Sequence, residues 1–170
     1  MSEDIIVNRV ANSPLVTFNL EEYYHPGERI EFDMKNYLFQ EIILKEKDFR
    51  LLVKQTDWSI YSGKNIAIIC TVDAIVPTWA YMLIATKISP FANMVVKGNM
   101  EVLEYALYRQ ALSKIEIEAF RDKKIVIKGC SKVEVPESAY VEITNMLLPV
   151  AASIMFGEPC STVPVYKLPK

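Results

Sequence analysis

Glycine is scarce in this chain. Only five occur, Gly27, Gly63, Gly98, Gly129 and Gly157, and no two stand close together. A backbone that wraps a phosphate needs clustered glycines, and neither GxGxxG nor GxxxxGKS/T is present, so dinucleotide and P-loop readings fail. No GxSxG elbow occurs either. Histidine is rarer still. His25 is the single one, which excludes metal sites needing two imidazoles and the HExxH class. The three cysteines, Cys70, Cys130 and Cys160, stand 60 and 30 residues apart, and no CxxC pair is formed. A zinc ribbon or thioredoxin-type motif is thereby excluded, and an odd, sparse count fits a reducing compartment without a disulfide framework. Basic blocks are also missing: 19 Lys and Arg face 21 Asp and Glu, for a formal charge of −2. That balance argues against nucleic acid as the main ligand. At the N-terminus Glu3 and Asp4 precede a short apolar run, the reverse of a secretory signal. The chain therefore reads as unprocessed and cytoplasmic.

What is present is ordinary globular material: 170 residues, 51% hydrophobic and 24% charged. That length suits one domain with a core of several strands and helices. The most apolar stretch, 66–88, holds only Asp73 and Lys87 as charges, but Pro77 interrupts it. A related segment, 125–147, carries five charges, Lys128, Lys132, Glu134, Glu137 and Glu142. A bilayer would not accept that second copy, so no membrane partner is expected.

The relation between those segments is a repeat. Shifted by 59 residues, Lys64–Gly98 lies over Lys123–Gly157 without a gap, and 11 of the 35 pairs are identical. Unrelated segments would give roughly two or three. Upstream, Arg50 falls on Arg109 and Tyr61 on Phe120. Each copy reads as strand, turn, helix, strand. Ile66–Cys70 and Ile125–Gly129 are short apolar runs rich in β-branched residues. Pro77 and Pro136 stand where a helix begins, because proline there forfeits no needed hydrogen bond. Positions 77, 80, 81, 84, 88 and 91 form an apolar stripe at helical spacing, and 136, 139, 140, 143, 147 and 150 repeat it. Second strands follow at 94–97 and 153–156, and Met100–Ser113 reads as a helix between the copies.

Strands alternating with helices imply a largely parallel sheet with right-handed crossovers. The expected fold is α/β: a single domain over 1–170, one largely parallel sheet, built on the duplicated strand–helix–strand unit at 64–98 and 123–157. The first sixty residues differ. Val16, Phe18 and Leu20 alternate, as do Ile30, Phe32 and Met34, with His25-Pro26-Gly27 as a turn. This predicts an N-terminal β-hairpin over about 14–36, then a helix near 47–55. The stretch 37–44 fits either strand or helix. The first repeat helix carries Thr78, Trp79 and Leu83 where the second has Glu137, Ser138 and Glu142. An outer face that apolar needs a cover, either the N-terminal segment or a second copy through Trp79, Met82 and Leu83, so a homodimer is expected.

In a parallel sheet, ligands bind beyond the carboxyl ends of the strands. Those ends carry Thr71 and Asp73, then Cys130, Ser131 and Lys132, then Glu158, Cys160, Ser161 and Thr162. After Gly98 the chain enters a helix, whereas after the equivalent Gly157 it becomes Glu-Pro-Cys-Ser-Thr-Val-Pro, read as a loop pinned by two prolines. The repeat breaks at a polar, thiol-bearing loop, where a site could be grafted. Cys130 and Cys160 could hold a soft metal with Asp73 or Glu158, or one of them could act as a nucleophile. Both also have a plain reading as ordinary loop thiols. Cys70, after four apolar strand residues, reads as a buried small side chain, and His25 as a turn residue.

The stretches ILKEKDFR (43–50), DAIVPTWAYML (73–83), KIVIKGCS (124–131) and SIMFGEPCSTVPVYK (153–167), with IVNRVANSPLVTFNLEEYY near the N-terminus, resemble the bacterial Domain of Unknown Function 2480 family. The resemblance covers nearly the whole chain and implies no established activity and no catalytic residues. Through the family's frequent gene neighbours it implies at most an accessory role in iron–sulfur cluster assembly, with assembly proteins as partners. Three function classes stay open: a binding or accessory protein, a small cysteine-dependent enzyme, and a structural dimer module whose thiols are incidental.

Overall fold

The computed structural model describes residues 15–129 and 132–169. It is a mixed α/β structure with seven strands in two sheets, paired mostly in parallel. The chain divides into two compact units. One takes the residues up to Tyr24 and those from Tyr108 onward; the other is His25–Leu107.

In the unit His25–Leu107, β2 (Arg29–Asp33), β3 (Asn65–Ile69) and β4 (Met94–Lys97) form a parallel sheet in that order. Helices α1 (Glu46–Gln55) and α2 (Thr78–Ile88) close its core, with Phe49, Val53, Ala80, Ile84 and Ile88 packed on Phe32, Ile66 and Ile68. In the other unit β1 (Leu15–Asn19), β5 (Lys124–Lys128) and β6 (Ser153–Glu158) run parallel, and β7 (Ser161–Lys167) adds an antiparallel edge to β6. Its core sets Ala139, Ile143 and Leu147 of α4 (Glu137–Leu147) on Phe18, Ile125, Ile127 and Ile154. The boundary between the units falls inside α3 (Met100–Leu112), whose last turns give Tyr108 and Leu112 to that core.

The two pairing patterns follow one rule. Leu15 lies opposite Lys124 and Lys124 opposite Ser153; Arg29 lies opposite Asn65 and Asn65 opposite Met94. The later strands correspond at the 59-residue shift, and β1 corresponds to β2 at a shift of 14. Buried positions correspond too: Phe18 with Phe32, Tyr108 with Phe49, Leu112 with Val53, Ile143 with Ile84. Each first strand ends on the same device, a side-chain cap on a one-turn 3-10 helix. Asn19 accepts from the Glu21 N–H, and Asp33 accepts from the Lys35 N–H. Short polar side chains at such positions satisfy donors the turn leaves unpaired.

Three sequence expectations are corrected here. β1 and β2 exist, but they form no hairpin, since each pairs in parallel with a strand of a different sheet. The capped turn Leu20–Tyr23 leads the chain out of β1 before His25-Pro26-Gly27 could fold it back antiparallel. The copies do not share one sheet either, because β5 takes β1 as its neighbour and leaves β4 at the edge of the other sheet. The run after Glu158 is a strand, not a loop. Pro159 and Cys160 form a two-residue turn, and Pro164 lies opposite Met155 beside a register shift on an edge strand, where proline is tolerated. The ambiguous stretch 37–44 is neither strand nor helix: Gln40 and Glu41, both at positive φ, make a tight turn that pairs Phe39 with Ile43.

Candidate functional site

The carboxyl edge of the β1-β5-β6-β7 sheet is assembled by adjacency. β5 and β6 are direct parallel neighbours, with Ile127 opposite Phe156, so the residues after each strand leave the same edge side by side. Lys128 at the end of β5 reaches Glu158 at the end of β6, Nζ to Oε2 at 3.6 Å. Two residues further along each path come Cys130 and Cys160. Cys130 and Ser131 lie outside the described residues; Cys160 is exposed at the tip of the β6–β7 turn. Ser161 is paired opposite Glu158, and the Thr162 hydroxyl donates to Met155 Sδ at 3.7 Å.

Two glycines make this edge fit. Gly157 has a φ of 121°, a conformation side chains avoid, and an added Cβ would stand 2.6 Å from the Ser161 carbonyl oxygen. Gly129 passes so close to Tyr140 that a Cβ there would overlap its hydroxyl. The Lys132 N–H donates to Glu21 Oε1 at 3.0 Å.

Asp73 does not belong to this edge. It follows β3 in the other unit, at the repeat position that Lys132 takes here. The carboxyl edge of that unit is organised by Asp33, which the alternating pattern of its strand does not single out, together with Thr71. Asp33 accepts from the Thr71 hydroxyl, the Thr71 N–H and the Lys35 N–H. Burial pushes its carboxyl up, but these hydrogen bonds and the Lys35 ammonium outweigh it and hold the pKa below the usual value. Tyr81 on α2 is raised, first by burial and then by its proximity to Cys70 and Asp33. Cys70 is half-buried and not fully enclosed, with Sγ donating to the Val72 carbonyl at 3.5 Å.

His25 is held in a polar network. Its Nδ1 accepts from the Gly27 N–H at 3.1 Å and stands 3.2 Å from Asn65 Nδ2. Asn65 is fully buried and takes a further hydrogen bond from Asn93. Among the described residues, no three His, Cys, Asp or Glu side chains gather as a metal cluster.

Residues 4–168 match the family described as protein of unknown function, DUF2480. The chain belongs to that family. No curated protein and no solved structure matches it. The DUF2480 match spans both units and the β6–β7 hairpin. None of the described helices is long and apolar enough to cross a membrane.

Of α2's outer face, Trp79 is half-buried, with Phe49 edge-on at 5.6 Å and the Arg50 guanidinium 5.2 Å from its ring centre. Leu83 is half-buried and Met82 exposed.

Proposed function

We propose that this protein is a non-enzymatic accessory module of the cytoplasm that binds a soft metal ion through Cys130 and Cys160 and serves iron–sulfur cluster assembly. The observation that carries the reading is the direct parallel pairing of β5 with β6, the two strands that precede Cys130 and Cys160 in the sequence. Neighbouring strands lie about 4.8 Å apart, within the span of two thiolates on one metal. Glu158, two residues before Cys160 and 3.6 Å from the Lys128 ammonium, supplies a third donor. Two thiolates and a carboxylate suit zinc or ferrous iron and leave a position open for exchange with a partner. The unit His25–Leu107 has no such edge, since Gly98 leads straight into α3.

An enzyme using either thiol as nucleophile is the weaker reading. A cysteine nucleophile needs a base, and the Nδ1 of the only histidine is already engaged by Gly27 and Asn65.

Metal analysis of protein purified without oxygen tests the proposal. The wild type should carry about one zinc or iron per chain, and a Cys130→Ser, Cys160→Ser variant should carry almost none. A wild type without metal, or a variant that keeps it, would overturn the assignment.

A further inference from the structure

Two helical segments serve each three-stranded parallel core: α1 and α2 in one unit, the last turns of α3 and α4 in the other. The fourth strand, β7, has no helix of its own. Beside α4 this leaves an apolar groove of about 570 Å³, lined by Tyr140, Val141 and Asn145 on the helix and Met155, Phe156 and Val165 on the hairpin, with Ile127 among them. Much of that lining is exposed apolar surface: Val141 is 62% exposed, Val165 55% and Phe156 48%. Isolated apolar residues at a surface need no explanation, but a concave cluster of them marks a contact site.

The geometry points to a second copy of this chain as the occupant, docked about a two-fold axis across the groove. An isologous interface needs one self-complementary face, and Val141, exposed on the helix wall of the groove, offers apolar surface for a second copy to cover. Glu137, Val141 and Asn145 form the exposed stripe of α4, continued by Leu148 just past its end, so two such helices can cross antiparallel with Val141 and Asn145 flanking the centre. The charges agree with this arrangement. α4 follows β5 and precedes its parallel neighbour β6, so it runs opposite to both, and β7 is antiparallel to β6. Hence α4 and β7 point the same way, with Glu137 at one end of the groove and Lys167 at the other. Among the described residues neither has an ion-pair partner in its own chain. A two-fold axis perpendicular to α4 brings each Glu137 against the partner's Lys167.

Sedimentation equilibrium of the full chain tests this. The wild type should be a dimer at micromolar concentration, and Val141→Arg should weaken it by about 30-fold or more, as expected for a central apolar anchor, with unchanged circular dichroism. Glu137→Lys and Lys167→Glu should each weaken it about tenfold, and the two together should restore it. Met82→Arg, at the equivalent position of α2, should leave the dimer intact. A monomeric wild type, a dimer indifferent to Val141→Arg, or one broken by Met82→Arg instead would overturn the proposal, as would a charge-reversed pair that fails to recover.

Discussion

Asp33 shows how one side chain can hold a sheet edge. It ends β2, caps the following turn and fixes Thr71 at the end of β3, so it ties two adjacent strands together where they finish. Its folded pKa is lowered, so its contribution is fully present above the unfolded carboxylate value of about 3.9 and is lost as pH falls through the folded value. Asp33→Asn should cost about 1 kcal/mol at neutral pH in urea unfolding, and the difference from wild type should shrink as pH falls below the unfolded carboxylate value of about 3.9. A difference independent of pH would contradict the role given to the charge. Gly157 carries the corresponding burden at the hairpin. Gly157→Ala should lose about 1–3 kcal/mol, because the positive φ and the Ser161 carbonyl both oppose a Cβ. At this scale the sequence was read unevenly. The break in the repeat after Gly157 was visible, but Asp33 lay inside what looked like a plain alternating strand. A second self-similarity could have exposed it: Phe18-Asn19-Leu20 and Tyr23 repeat as Phe32-Asp33-Met34 and Tyr37, 14 residues on.

Helices and inner strands were legible because their signals are local. Proline at the start and an apolar stripe at helical spacing define α2 and α4, and β-branched runs define β3 and β5. The equivalence of their cores gives a direct check. Ile84 and Ile143 occupy corresponding positions and are both fully buried. Ile84→Ala and Ile143→Ala should each cost about 2–5 kcal/mol in chemical unfolding. A negligible loss at either site would mean that its helix is not packed as described. Strand pairing was less legible, since alternation says that one face is buried and nothing about which neighbour a strand takes. β1 and β2 look like the arms of a hairpin by that criterion, yet each completes a parallel sheet whose other strands follow much later in the chain. β7 was hidden by its prolines, which are unfavourable in a central strand and acceptable at an edge.

On the scale of the molecule, two units with matching pairing rules differ in one addition, β7, which forms a hairpin with β6. That addition supplies the Cys160 turn at one edge and the apolar groove along one face, so the proposed metal site and the proposed dimer contact both derive from it. They are separable, since Cys160 lies at the carboxyl edge and the groove beside α4. The central claim is that the segments carrying Cys130 and Cys160 converge. Mild oxidation of the metal-free protein, followed by peptide mass mapping without reduction, tests it most directly. A disulfide requires Cα atoms about 4.4–6.8 Å apart, so only convergent segments can be joined readily. The account predicts a linked peptide joining Cys130 to Cys160 within one chain, with Cys70 still open to alkylation. Cys130 and Cys160 both remaining free, or joining only between chains, would contradict it.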